Sequence, residues 1–307
     1  MNKLDSSSLG SILLKKYADR CNANLSSLAT EGLERESNLL DLHKAILYVV
    51  RGGKRIRPAL TFAAAEAIGL KDNDKRQKAL DYISCAIELL HSYSLIHDDL
   101  PAMDDDDLRR GKPTLHKIYN DTTAILVGDG LQARAFELIA SAETISSDEC
   151  LAISKLVSKA VGLRGMVGGQ FIDIQATGQR LSKQQLKSMH NLKTGALLTA
   201  SVVSGGLTAS ASEEELVSLE QFGNNIGLAF QVTDDILDVE GTSKTLGKTP
   251  GKDAKKNKST YVNLLGIQDA RRIASESLES ALLALNSFGP SAKSLREIAK
   301  LIVKRDK

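Results

Sequence analysis

A run of acidic residues between positions 98 and 107 restricts how this chain can fold. Asp98 and Asp99 are followed by four consecutive aspartates, Asp104 to Asp107, and the run ends just before Arg109 and Arg110. Two like unit charges about 4 Å apart cost on the order of 1 kcal/mol in water and about 4 kcal/mol at an effective dielectric constant near 20. A folded domain therefore keeps such a cluster only if the carboxylates point to solvent or if a cation lies between them.

The residues before this run favour the cation. From Lys78 to Leu100 apolar residues recur over a wide arc of a predicted helix, which is typical of a helix surrounded by other helices. The first acids are thus attached to a buried element. Pro101 lacks a backbone donor and disfavours helical geometry at Leu100. We expect the helix to end or kink there, so that Asp104 can fold back beside Asp98.

A second acidic cluster lies much later in the chain. Gln231, Asp234, Asp235 and Asp238 are spaced at i, i+3, i+4 and i+7, so they share one face of a predicted helix. Either cluster alone could be a solvated acidic surface, but two such similar groups favour two walls of one site. Carboxylates without nearby His or Cys pairs suit a hard cation such as Mg²⁺, which is usually shared with substrate phosphates.

Basic residues would then hold the remaining phosphate charge, although each of them alone is more often a surface residue. The Gly52–Gly53 pair is a chain turn by default, and Arg109 and Arg110 could simply compensate the acids. His91 is either a structural histidine or a residue that faces the site. The basic candidates are Lys54, Arg55, Arg57, Arg109, Arg110, Lys193, Lys248 and Lys258.

Composition and periodicity predict an all-α fold. Five prolines, no tryptophan and 4% aromatic residues argue against a strand-rich protein. A glycine-punctuated stretch covers 162–178, and no break in composition divides the chain, so we expect one domain over residues 1–307. Three-four spacing of apolar residues predicts these helices: Leu13–Ala29, Leu39–Val50, Ala59–Leu70, Lys78–Leu100, Thr122–Ala140, Leu151–Val161, Leu181–Ser204, Glu213–Val239, Asp269–Leu285 and Ala292–Val303.

Composition also excludes several classes of protein. A formal charge of +2 gives no polyelectrolyte signal, so nucleic acid is not an expected partner. Three scattered cysteines suit a reducing compartment. We see no signal peptide at the N-terminus and no apolar stretch of membrane-spanning length. We therefore expect a cytoplasmic protein with no membrane span.

Taken in order, these motifs resemble those of the trans-isoprenyl diphosphate synthases, in their bacterial farnesyl-type branch. One aspartate-rich motif is weak evidence, whereas two of them with the intervening Lys-Thr pair and Gln are specific. The resemblance covers nearly the whole chain and runs through Gly52–Pro58, His91–Gly111, Gly168–Gln170, His190–Gly195, Phe230–Asp238 and Thr245–Lys248.

The resemblance implies a single-domain isoprenoid-synthase fold, with helices around a deep central cavity, usually as a homodimer. It also implies head-to-tail prenyl transfer: an allylic diphosphate, dimethylallyl or geranyl, ionises, isopentenyl diphosphate attacks it, and a proton is lost. Preorganised cations would stabilise the negative charge that develops on the leaving diphosphate.

The resemblance also implies roles for individual residues. Three Mg²⁺ would be held by Asp98 and Asp104 on one wall and Asp234 on the other, with support from Asp99, Asp235 and Asp238. Isopentenyl diphosphate would be bound by Lys54, Arg57, His91 and Arg110. The allylic diphosphate would be bound by Arg109, Lys193 and Lys248. The developing carbocation would be lined by Thr194 and Gln231, which form the catalytic group together with Lys193.

Product length is a packing question. Tyr93 lies five residues before Asp98, with Ser94 beside it. Tyr93 could be ordinary core. In family terms, a bulky residue there, with the two extra residues Pro101 and Ala102 in the first motif, resembles a cavity floor that stops growth at fifteen carbons. We therefore expect farnesyl diphosphate as the product.

Other functions stay open at this point. A synthase of different length would make ten- or twenty-carbon products. A terpene cyclase would need no second diphosphate site, and Lys54, Arg57 and the Arg109–Arg110 pair argue against it. A non-catalytic regulatory subunit should have lost an aspartate motif, yet both are intact. An acidic metal-buffering protein would show no turnover.

Overall fold

The structure, a computed structural model, describes residues 8–240 and 259–304, and helices dominate both ranges. The helices are α1 Leu9–Thr30, α2 Leu40–Val50, α3 Ile56–Ile68, α4 Arg76–Asp98, α5 Leu115–Ile118, α6 Asp121–Ala140, α7 Ser147–Val161, α8 Met166–Gln175, α9 Lys183–His190, α10 Ala196–Thr208, α11 Glu213–Glu240, α12 Tyr261–Leu265, α13 Ile267–Ala284 and α14 Lys293–Lys304. Short 3-10 helices cover Leu33–Arg35, Ser37–Leu39 and Asn286–Ala292, and a small hairpin pairs β1 Leu108–Arg109 with β2 Lys112–Pro113. The all-α prediction is confirmed.

Helix α4 lies in the middle of the helical assembly. It packs against α1, α3, α6 and α10, and its Ile83, Ile87 and Leu90 side chains are fully buried. Cys85 is also fully buried and is a free thiol, as expected of a small hydrophobe. The wide apolar arc of the sequence is therefore explained: α4 is surrounded by other helices, and its acidic end emerges from the core.

Helix α10 is the second buried helix. It packs between α3, α7 and α11, and nearly all of its side chains are small or apolar and buried. The sequence predicted one helix over 181–204, but the structure divides this region. A π-helical turn, Asn191–Gly195, separates α9 from α10. Such turns add a residue to the helix and often occur at functional sites.

Other boundaries follow local sequence signals. At the start of α11 the Ser212 backbone N–H donates to Glu215 Oε2 at 2.8 Å, and the Glu215 N–H donates to Ser212 Oγ at 3.3 Å. This is the reciprocal cap that a Ser-x-x-Glu sequence predicts. Within the glycine-punctuated stretch 162–178, residues Met166–Gln175 form α8 despite the glycines.

None of the helices within the described ranges combines the length and the apolar character needed to span a bilayer.

Candidate active site

The first acidic cluster sits where the chain folds back after α4. The Asp104 N–H donates to the Asp98 carbonyl at 2.9 Å, and the Asp106 N–H donates to the Asp99 carbonyl at 3.2 Å. Asp105 adopts a positive φ of 50° in this turn. The proline-directed end of the helix therefore brings Asp104 back beside Asp98, as predicted.

The hairpin after the acidic turn brings a cation to it. Arg109 Nε donates to Asp99 Oδ1 at 2.9 Å, and Arg109 Nη2 contacts Asp99 Oδ1 and Asp106 Oδ2. Asp99 is buried, and burial raises the pKa of its carboxyl while the bonds from Arg109 lower it. Arg109 thus compensates two of the buried acids and keeps part of its guanidinium at the surface.

Asp98 faces a cation from another part of the chain. Burial raises the pKa of Asp98 to about 6, the nearby Lys193 ammonium opposes this shift, and the Asp104 carboxylate adds to it. Lys193 belongs to the π-helical turn, 95 positions further along the sequence. The end of α4 and this turn therefore face each other.

The π-helical turn is held by close packing and by an ion pair. A Cβ on Gly169 of α8 would lie 2.2 Å from the Lys193 backbone nitrogen, and one on Gly227 of α11 would lie 2.9 Å from Gly195 Cα. Only glycine permits both approaches. Lys193 Nζ also bonds to Asp173 Oδ2 of α8 at 2.6 Å. Asp173 had no predicted role, although it follows the quoted Gly168–Gln170 motif.

Thr194 connects this turn to the second acidic cluster. Thr194 Oγ1 donates to Gln231 Oε1 at 3.0 Å, and Gln231 Nε2 donates to Asp235 Oδ1 at 3.0 Å. Burial lowers the pKa of Arg57 to about 10. The Glu88 carboxylate opposes this shift most strongly, and the Asp234 carboxylate, one turn after Gln231, opposes it less. Asp234 of α11 therefore lies close enough to Arg57, at the start of α3, for their charges to interact.

A second group of cations gathers around His91. Burial lowers the pKa of His91 well below its usual range, and the positive charges of Arg57, Arg110, Arg109 and Arg55 lower it further. Arg110 Nη1 donates to the Gly52 carbonyl at 3.0 Å, so the hairpin reaches the turn before α3. Lys54 lies on that turn and is exposed. A neutral imidazole among guanidinium groups is an arrangement that suits an anion.

The two predicted chain-length residues lie on α4, before its acidic end. Tyr93 is buried, and its ring meets the edge of the His97 ring with centroids 5.8 Å apart. Ser94 Oγ donates to the His91 carbonyl at 2.9 Å. With a rise of about 1.5 Å per residue, Tyr93 is about 7.5 Å from Asp98 along the helix axis. Lys248 and Lys258 lie outside the described residues.

Gln170 is a further polar residue for which the sequence predicted no role. Its side chain is buried in α8, and neither its amide oxygen nor its amide nitrogen has a hydrogen-bond partner among the residues that the structure describes. Buried amides are rarely left this way. A ligand or water molecule would satisfy it, and the signal in the sequence is its place beside Gly168 and Gly169.

Carboxylates supply the oxygen ligands that Mg²⁺ prefers, and both clusters contain several. Over residues 8–240 and 259–304, however, no three His, Cys, Asp or Glu side chains converge closely enough to hold a metal ion by themselves. An ion at this site would therefore need oxygens from water or from a bound ligand.

Comparison with known proteins identifies the family. The family model described as Polyprenyl synthetase matches residues 41–297. The chain belongs to the polyprenyl synthetase family. It is 40% identical over 286 residues to a farnesyl diphosphate synthase of Bacillus subtilis, which covers 92% of this chain and 94% of that protein. It is also 42% identical over 271 residues to a chloroplastic geranylgeranyl pyrophosphate synthase of Catharanthus roseus, with 87% and 74% covered.

A solved structure from the same group has a similar fold. The Helicobacter pylori geranyltransferase, described as complexed with magnesium and isoprenyl diphosphate, superposes with a TM-score of 0.82 at 37% identity. The match covers 96% of this chain and 98% of that one. Together with neighbours such as the Legionella pneumophila geranyltransferase, at a TM-score of 0.83, it assigns the all-α isoprenoid-synthase fold to this chain.

One basic residue of the family motif is placed differently from the sequence interpretation. Arg55, a candidate for phosphate binding, has a side chain only 1% exposed, and its Nη1 bonds to Glu88 Oε1 at 2.6 Å. It also bonds to Asn22 Oδ1 and to the Val50 carbonyl. The candidate role was wrong for this residue, because its donors are used inside the protein. Arg55 instead fixes the turn that carries Lys54.

We predict that Glu88→Gln lowers the free energy of unfolding by about 3 kcal/mol, since it leaves the buried charge of Arg55 without its counter-charge. Urea unfolding followed by circular dichroism measures this change. The matched control is Glu31→Gln, which breaks a pair with Arg134 in which the Glu31 side chain is 66% exposed. That variant should lose less than about 1 kcal/mol. Equal losses in the two variants would contradict the prediction.

Proposed function

We propose that this chain is a farnesyl diphosphate synthase that joins dimethylallyl or geranyl diphosphate to isopentenyl diphosphate. The observation that carries the proposal is the presence of two groups of cations around the carboxylates. One group is Arg57 and Arg110, which lie beside the neutral His91, and the other is Lys193 with Arg109. Two diphosphates need two such groups, whereas an enzyme that only ionises one diphosphate needs one.

The proposed metal ligands are Asp98 and Asp104 on one side and Asp234 on the other, with three Mg²⁺ in each site. The donor set fits this ion, because it consists of carboxylates and because Mg²⁺ usually keeps coordination positions for substrate phosphates and water. When bound, Mg²⁺ stabilises the negative charge that develops on the leaving diphosphate. The magnesium and isoprenyl diphosphate of the Helicobacter pylori geranyltransferase support the assignment.

Different side chains of this protein would bind the two substrates. Lys193 and Arg109 would hold the allylic diphosphate as its C–O bond breaks and the electron pair leaves with the diphosphate. Arg57, Arg110 and the neutral His91 would orient isopentenyl diphosphate, whose double bond forms the new C–C bond.

The carbocation must meet oxygen dipoles and no competing water. Thr194 and Gln231, bonded to each other at 3.0 Å, would present those oxygens. The proton released after condensation would leave with the departing diphosphate, because no side chain in the described part of the site stands out as a base. Lys54 and Lys248 complete the proposed diphosphate ligands.

We predict that the purified chain, given dimethylallyl and isopentenyl diphosphates with Mg²⁺, makes a fifteen-carbon product that chromatography identifies. Asp98→Asn and Asp234→Asn should each lower kcat by about 100-fold or more, because each removes charge stabilisation from the transition state. Asp269→Asn is the control, since Asp269 pairs with Arg272 on the exposed face of α13. Absence of any prenyl product from the unaltered chain would overturn the proposal.

The product length rests on Tyr93. We predict that Tyr93→Ala lengthens the products beyond fifteen carbons, because it removes a buried aromatic ring about 7.5 Å behind Asp98. Tyr82→Ala, on the same helix and about 24 Å from Asp98 by helical rise, should leave the length unchanged. Chromatography of the products measures both. If Tyr93→Ala makes the same product as the unaltered chain, Tyr93 does not form the cavity floor. Product length needs this test because the chain is also similar to a geranylgeranyl pyrophosphate synthase.

We also propose a homodimer. Its support is an apolar stripe along α8 and the turn before it, where Leu163, Val167, Phe171 and Ile174 recur at helical spacing and are all exposed. Exposed apolar groups of this kind mark protein–protein contacts. Light scattering of the purified chain should give twice the mass of 33.0 kDa, and a mass of one chain at micromolar concentration would exclude a stable dimer.

A further inference from the structure

Both carboxylate oxygens of Asp235, in the second acidic cluster, accept hydrogen bonds from other described residues. Its carboxylate is only 3% exposed. Oδ1 accepts from Gln231 Nε2 at 3.0 Å, and Oδ2 accepts from the Tyr261 backbone N–H at 2.8 Å. His190 Nε2 lies 4.0 Å from Oδ2. Both oxygens are therefore used within the protein, whereas the family resemblance suggested only support for metal ligands.

The bond from Gln231 determines how that amide is oriented. A glutamine amide has one accepting and one donating end, and a rotation by half a turn exchanges them. An ionised carboxylate can only accept, so Asp235 holds the Gln231 nitrogen towards itself. The amide oxygen then necessarily faces the other way, where it accepts from Thr194 Oγ1 at 3.0 Å.

Asp235 itself is held by a packed frame. The Tyr261 ring stacks on the His190 ring with centroids 5.7 Å apart and an interplanar angle of 24°. Leu186, Met189 and Val232 belong to the same buried cluster as Tyr261. The donor at Tyr261 is a backbone group at the first residue of α12, so it cannot rotate away as a side chain could. The backbone N–H of Tyr261 therefore fixes Oδ2 of Asp235, and Oδ1 orients the Gln231 amide.

We propose that Asp235 is a positioning residue that keeps the Gln231 amide oxygen, and not its nitrogen, directed at the developing carbocation. The proposal rests on the proposed prenyl transfer. An amide nitrogen carries positive hydrogens, so a reversed Gln231 would oppose the cation that its oxygen stabilises. Asp234, whose charge interacts with that of Arg57, would remain a metal ligand. The two adjacent aspartates would then have different functions.

The test exchanges the hydrogen-bond donor and acceptor between Gln231 and Asp235. In Asp235→Asn, the oxygen of the new amide still accepts from Tyr261, but its NH₂ group faces the Gln231 NH₂ group, and we expect the Gln231 amide to rotate. In the double variant with Gln231→Glu, the new carboxylate accepts from both the introduced amide and Thr194. The bond between residues 231 and 235 is then reversed, but an oxygen again faces Thr194 and the net charge is unchanged. In Gln231→Glu alone, two carboxylates face each other.

We expect Asp235→Asn to lower kcat by about 10- to 100-fold, the scale of one misplaced polar group in an active site, with little change in KM for either diphosphate. The double variant should be at least about 10-fold more active than Gln231→Glu alone. The Mg²⁺ concentration for half-maximal activity should stay unchanged in Asp235→Asn and rise in Asp234→Asn. Circular dichroism of each variant checks the fold.

The opposite results would overturn the proposal. If Asp235 acts as a metal ligand, Asp235→Asn will raise the Mg²⁺ requirement as Asp234→Asn does, and the exchange will not rescue activity. If Asp235→Asn alone fails to fold and the double variant, which restores the charge and the 231–235 bond, does fold, the comparison of Gln231→Glu with the double variant still decides, because equal activities exclude the positioning role. Absence of prenyl products from the unaltered chain would refute the proposed function itself, which is a separate outcome.

Discussion

The structure depends on the balance between buried carboxylates and the cations that face them. Asp98 and Asp99 leave a buried helix where burial raises the pKa of both carboxyl groups, and each then meets a cation, Lys193 or Arg109. Removing charge from water is costly unless a counter-charge and hydrogen bonds replace the water. The same requirement places Arg57 within reach of Asp234 and Glu88. In the proposed reaction the same charges would hold a diphosphate and its metal ions.

The π-helical turn provides the geometry that this balance requires. It presents Lys193 to Asp98 and Asp173, and Thr194 to Gln231, from two adjacent positions. An uninterrupted α-helix would direct its side chains at fixed steps of about 100°, and the extra residue of the turn changes that direction. Close contacts at Gly169 and Gly227 hold the turn in place, so the orientation of Lys193 and Thr194 is set by packing of α8 and α11.

Neighbouring charged residues have different surroundings in this chain. Arg55 and Glu88 form a buried pair that stabilises the turn before α3, whereas Arg57, two residues later, faces the site. Asp234 and Asp235 divide in the same way, one acting on Arg57 and the other bonded to Gln231 and Tyr261. Adjacent residues point to different sides of a helix or turn, so neighbouring members of one motif need not share a role.

Local sequence signals predict the helical class, the approximate positions of most helices, the cap of α11 and the return of Asp104 to Asp98, because these follow from periodicity, capping residues and Pro101. The sequence also indicates both acidic clusters through their spacing. Three features could be seen only in the folded chain: a π-helical turn interrupts helix 181–204, Arg55 is buried against Glu88, and Asp173 pairs with Lys193. These features arise from contacts between residues far apart in the chain, where close packing and the compensation of buried charge override local preference.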